Sequence, residues 1–241
     1  TGVGGGSLMT PLLVLLFGIH PVTAVGTDLL FAAATKTVGM AVHGVNRTVD
    51  WTVTGLLALG SVPATITTLW VLAQVQASTG ATSTLIAAVL GLMLILTSAT
   101  LVLRGVLRRL VERRRIAEDG HEEERGIATV VLGALLGVVV SISSVGAGAI
   151  GMTALLMLYP RRPIARLIGS DIAHAVPLTL IAGAGHWLIG SVDFALLGSL
   201  LIGSIPGVVL GSVLGPRLPE AALRIVLAGI LAIVGLKLVA G

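Results

Sequence analysis

The chain has 241 residues, of which 55 % are apolar and 11 % charged, and its formal net charge is +4. Soluble domains carry about a quarter charged residues, so this composition excludes one and points to a polytopic helical membrane protein. The basic excess is not a nucleic-acid signal, because the arginines fall in loops, and the absence of cysteine removes disulfides, Cys-ligated zinc and thiol catalysis.

The apolar runs are continuous, not alternating, which argues against a β-barrel. A glycine-rich start, Gly2-Val3-Gly4-Gly5-Gly6-Ser7, leads into a short apolar segment at 7–17. A bilayer takes about 20 apolar residues, so 22–42, 51–73 and 85–103 read as spans. A mixed-charge loop follows at 104–126, read as a solvated connector rather than a regulatory site. Two shorter runs, 127–142 and 149–159, flank Ser143-Ser144-Val145-Gly146-Ala147-Gly148-Ala149-Ile150-Gly151. Neither run alone is a comfortable span. Glycine permits backbone that is neither helix nor strand, and such backbone persists at membrane depth only where protein covers it or it lines a wet cavity. This stretch therefore reads as a helix break. Three further spans are expected at 164–187, 194–214 and 221–239. The chain divides into a first transmembrane repeat at 1–104, a cytoplasmic loop at 105–126 and a second repeat at 127–241. The fold class is all-α.

An internal repeat runs at a constant offset of 143 residues. Gly5 matches Gly148, Met9-Thr10 matches Met152-Thr153, and Gly26-Thr27-Asp28 matches Gly169-Ser170-Asp171. His43 matches His186, Val49-Asp50-Trp51 matches Val192-Asp193-Phe194, and Gly60-Ser61-Val62-Pro63 matches Gly203-Ser204-Ile205-Pro206. Coincidence of leucine or valine is easy in such a chain; coincidence of His, Asp, Gly and Pro in one register is not. The repeat leads us to expect a helix ahead of Thr1, equivalent to residues 127–144.

Positive charge gives orientation. Arg104, Arg108, Arg109, Arg113, Arg114, Arg115 and Arg125 place the central loop in the cytoplasm. Arg161, Arg162 and Arg166 follow the second short run, so the pair around the break enters and leaves on one side, as a re-entrant hairpin or two short helices. With Arg47, Arg217 and Arg224 also inside, all of the 15 basic residues except Lys36 and Lys237 share one face. The loop at 18–21 then lies outside while its mate at 161–164 lies inside, so the halves are inverted copies. Inverted repeats with broken helices are the build of secondary transporters.

Gly4, Gly5, Gly6, Gly146, Ala147 and Gly148 open short helices. A helix N-terminus offers unpaired N–H donors and a positive dipole, suited to an anion. Ser7, Thr27, Ser143, Ser144 and Ser170 add hydroxyl donors. Close helix packing is the plainer reading of the same small residues. Gly146-Ala147-Gly148-Ala149-Ile150-Gly151 fits Gly-x-Gly-x-x-Gly, but no strand precedes it, which rejects a dinucleotide site. Asp28 and Asp171 are the acids placed within spans, where a charge costs about 2.5–3.5 kcal/mol. They either carry a proton along a pathway or cap freed backbone. His174, one turn after Asp171, is a proton relay or a packing histidine. Lys36 either attracts an anion or snorkels to the headgroups. His43 and His186 read as interfacial caps, and Asp50 and Asp193 as N-caps of the spans they precede. Pro63 and Pro206 are expected to kink their helices.

Several of these motifs together resemble the TauE/SafE family of membrane permeases. They are Gly2-Val3-Gly4-Gly5-Gly6-Ser7-Leu8-Met9-Thr10-Pro11, Ala24-Val25-Gly26-Thr27-Asp28, Val49-Asp50-Trp51, Gly60-Ser61-Val62-Pro63 and Gly169-Ser170-Asp171-Ile172-Ala173-His174-Ala175-Val176-Pro177. The resemblance implies a transporter of sulfite, sulfonates or other small sulfur-containing anions, multi-pass in the bacterial inner membrane. Its expected partners are that small inorganic or organosulfur anion, the lipid bilayer and protons, with no cofactor, no metal and no nucleic acid. An intramembrane enzyme lacks the usual motifs, His-Glu-x-x-His or Gly-x-Ser-x-Gly. A membrane scaffold explains the hydrophobicity but not the paired glycine breaks.

Overall fold

The computed structural model describes residues 6–45, 49–79, 86–100, 102–103, 122–214 and 220–240. All regular structure among them is helical. The first part of the chain forms α1 (Gly6–Leu15), α2 (Pro21–Val45), α3 (Trp51–Thr79) and α4 (Ile86–Thr100). The second forms α5 (Glu122–Ser143), a π-helical turn (Ala147–Gly151), α6 (Met152–Leu158), α7 (Ile164–Leu188), α8 (Phe194–Leu214) and α9 (Glu220–Ala240). Most of the charged loop, and the start of the first glycine motif, lie outside the described residues.

Two expectations are corrected. Charge pattern alone ends the loop at 126, but α5 already begins at Glu122. Apolarity marks where lipid begins; the Glu-Glu-Glu-Arg run is itself helix-forming. Within α5, Arg125–Ser143 reaches spanning length, which the apolar run alone did not. It joins Trp51–Val75 and Ile164–Leu188 as the described helices long and apolar enough to cross a membrane. On the other side of the break, α6 is only seven residues long. Helix α3 continues through Pro63.

Packing is governed by small residues. Helix α3 lies along α5, and α2 along α7. A Cβ on Gly60 would strike the Val130 carbonyl, one on Gly133 the Leu57 carbonyl, and one on Gly137 would stand 2.6 Å from the Ser61 carbonyl. Three glycines thus bring the α3 and α5 backbones together, the usual means of dense packing where lipid supplies no hydrophobic drive. Gly26 does the same for α2 against the Ser191 carbonyl at the end of α7. Apolar side chains fill the rest. Val25, Leu29, Leu72, Ile86, Val140 and Leu178 join α2, α3, α4, α5 and α7. Outward-facing Trp51, Leu59, Trp70, Leu135, Ile202 and Ile233 are exposed, as lipid-facing residues must be.

Helices α2 and α7 are 25 residues each, and both ends of α7 lie 143 residues beyond those of α2. The starts of α3 and α8, at Trp51 and Phe194, keep the same offset. Hydrogen bonding is reciprocal as well. Ser170 Oγ on α7 accepts from the Asp50 N–H at 2.8 Å, and Thr27 Oγ1 on α2 accepts from the Asp193 N–H at 3.1 Å. Asp50 Oδ1 accepts from the Val53 N–H and Asp193 Oδ1 from the Leu196 N–H, so both aspartates cap their helices as expected.

Candidate functional site

The break after α5 is the centre of the site. Ser144 adopts φ 58° and Gly146 φ 112°, both left-handed. For serine that conformation costs roughly 1–2 kcal/mol, and at Gly146 only glycine takes it without strain. The freed backbone groups are met locally. Ser144 N–H donates to the Val140 carbonyl at 2.8 Å, while Val145 N–H turns to Ser143 Oγ at 3.2 Å. The Ser141 carbonyl, which Val145 N–H would take in an unbroken helix, accepts instead from His186 Nε2 at 2.8 Å. Ile150 and Gly151 N–H both reach the Gly146 carbonyl, at 3.2 and 3.1 Å, which closes the π turn. Ahead of that first bond, the N–H groups of Ala147, Gly148 and Ala149 have no partner within the helix.

Two carboxylates flank this break. Asp28 on α2 is fully buried; its Oδ2 accepts from Thr10 Oγ1 at 2.6 Å and from Ser144 Oγ at 2.9 Å. One acid thus ties α1 and α2 to the break of the other half. Asp28 Oδ1 has no hydrogen-bond partner. Asp171 on α7 lies at the far end of the π turn, where a Cβ on Gly151 would stand 3.3 Å from its Oδ1. That oxygen is also buried without a partner. His174, one turn on, shares a 2.8 Å hydrogen bond between its Nε2 and Ser61 Oγ, and its Nδ1 is unpartnered. Lys36 is partly buried, about two turns after Asp28 on α2. It is near enough to interact electrostatically with both aspartates and with His174.

The structure therefore brings Asp28, Ser144, Gly146, Ala147, Gly148, Asp171, His174 and Lys36 to one region. Thr27 and Ser170, each one residue before an aspartate of this region, have their hydroxyls engaged at the starts of α8 and α3. Gly6 and Ser7 open α1; Gly4, Gly5 and the His43 side chain lie outside the described residues. His186 is fully buried against the end of α5, not interfacial. The role of Thr10 and Ser61 depends on partners 18 and 113 residues away, although both stand inside repeated motifs. Arg162, which the sequence offered only as a topology charge, forms an ion pair with Asp50 and stacks 5.7 Å from the Tyr159 ring. Tyr159 in turn shares a 2.7 Å hydrogen bond with Thr129 on α5. These contacts fasten the loop after α6 to α3 and α5.

A helix break whose first N–H groups have no partner within the following turn, beside hydroxyls, a lysine and two acids, has the chemistry to accept an anion and handle a proton. It offers no cluster for a metal among the described residues. Residues 1–238 match the family described as sulfite exporter TauE/SafE. The chain is 36 % identical over 239 residues to the "Probable membrane transporter protein YjnA" of Bacillus subtilis (strain 168), spanning 99 % of this chain and 93 % of that protein. No solved structure gives a significant match. With the match running almost end to end, the chain belongs to the sulfite exporter TauE/SafE family.

Proposed function

We propose that the chain, a membrane transporter by family and by its bacterial relative, moves a small anion by alternating access of two inverted halves. Sulfite or a related sulfur-containing anion or organosulfonate is the substrate. The anion binds at the break, on the N–H groups of Ala147 and Gly148, with Ser144 beside it and Lys36 drawing it inward. Gly4, Gly5, Gly6 and Ser7 form the matching half of the site. The observation that carries this reading is the hydrogen bond from Ser144, in left-handed backbone at the break, to Asp28 of the other half. A junction of that kind, buried between repeats, is where broken-helix transporters hold their substrates. The reciprocal Thr27–Asp193 and Ser170–Asp50 bonds support a two-fold relation between the halves.

Coupling falls to Asp171, with His174 on the next turn to exchange its proton. A protonated Asp171 no longer repels an anion, so anion and proton bind together; releasing the proton on the other side expels the anion. The test is flux in proteoliposomes for sulfite, thiosulfate, sulfate, sulfonates and carboxylates, repeated under an imposed pH gradient. Sulfite or a related sulfur anion should move and respond to the gradient. Asp171→Asn should keep anion exchange and lose that response. If no anion moves, the transport reading fails; if both Asp171→Asn and Asp28→Asn respond as wild type, neither acid couples.

A further inference from the structure

Asp28 is the acid that the coupling scheme leaves unused. Its Oδ2 is saturated by two hydroxyl donors, Thr10 at 2.6 Å and Ser144 at 2.9 Å. These donors come from opposite halves and fix the carboxyl plane. Its Oδ1 lies in the same junction of α1, α2 and the break, fully buried and without a partner. A held carboxylate with one bare oxygen is a fixed acceptor awaiting a donor. The break that Ser144 belongs to offers donors in its Ala147 and Gly148 N–H groups, and the Lys36 ammonium on the helix of Asp28 is another.

We propose that Asp28 Oδ1 is a specificity determinant, which selects anions carrying their own hydrogen-bond donor. The substrate class is a monoanion with an O–H group, such as hydrogen sulfite or a hydroxysulfonate. Its oxyanion end meets the break and Lys36, while its donor end meets Asp28 Oδ1. A dianion, or a sulfonate with only carbon and hydrogen beyond the sulfur, leaves that oxygen unpaired and faces the carboxylate charge directly. Sites that bind a substrate hydroxyl through a buried group reject the analogue lacking it far more strongly than apolar pockets reject a size difference.

The inference rests on the transport reading, and one experiment separates the two. Hydroxymethanesulfonate and ethanesulfonate are monoanions of nearly the same size that differ in a hydroxyl against a methyl group. Uptake of each by proteoliposomes containing the intact chain gives two transport efficiencies, with sulfite as the reference. Hydroxymethanesulfonate should exceed ethanesulfonate by at least about tenfold. In Asp28→Asn the Thr10 and Ser144 hydroxyls hold the amide oxygen, so an N–H donor replaces Oδ1 and the preference should vanish or invert. The wild-type ratio needs no variant to fold. Equal uptake of the two sulfonates overturns the selectivity while leaving transport intact. Failure of sulfite and both sulfonates to move overturns both readings. An unchanged preference in a folded Asp28→Asn protein assigns the donor to another acceptor and removes Asp28 from the role.

Discussion

Helices α3 and α8 are mates in the 143-residue repeat, yet their surroundings differ. Both begin behind a capping aspartate whose N–H is taken by a hydroxyl from the other half. Beyond that start they diverge. Gly60 on α3 is pressed against α5, while a Cβ on its mate Gly203 would meet nothing within 4 Å. Asp50 is 8 % exposed and paired with Arg162. Asp193 is exposed, and the position equivalent to Arg162 is Ile19. The repeat thus preserves the backbone clasp at each end of the α2–α7 pair, while among the described residues Gly60 is packed and Asp50 ion-paired where Gly203 and Asp193 are not. A sequence repeat reports which local structures recur; it does not report which of them carry tertiary load.

The largest effect expected from this difference is at the glycines. Gly60→Leu forces α3 from α5 and should cost about 3 kcal/mol or prevent folding, whereas Gly203→Leu should stay within about 0.5 kcal/mol. Thermal melting of the detergent-purified proteins compares them. Equal losses would mean that α8 carries the same packing load as α3. The aspartates come next. Asp50→Ala removes a cap and a charge-assisted bond to Arg162, for a loss of about 2–3 kcal/mol. Asp193→Ala removes only the cap, for about 1 kcal/mol. Arg162→Gln in the same series should reproduce the excess of Asp50 over Asp193. If it changes nothing, the ion pair does not distinguish the two faces.

Much of this was legible in the sequence because membrane helices announce themselves by apolar length. Starts at Trp51, Ile164 and Phe194 follow from polar or proline-bearing junctions, α2 begins one residue before the expected 22, and the offset of 143 pairs them. The start of α5 was not legible, since Glu122 belongs to the helix but not to the apolar run. Within the site, the break itself was readable from Gly146 and Gly148. Its partners were not. The Thr10–Asp28–Ser144 junction and the Ser61–His174 bond join residues from different helices, and periodicity within one helix cannot supply that register. His186 shows the limit most clearly. Near a helix end it reads as interfacial, but the break exposes the Ser141 carbonyl and the histidine is buried to satisfy it.

The proposed passage of a small sulfur anion along the backbone of the break is open to direct test. Sulfite flux through proteoliposomes measures it most directly, with wild type compared against Gly148→Leu at equal incorporation. Wild type should carry sulfite well above empty vesicles, and Gly148→Leu, with a side chain at the proposed anion site, should fall to background while still inserting. Equal flux from the two proteins would contradict the placement of the site at the break, and no flux from wild type would contradict the account of its function.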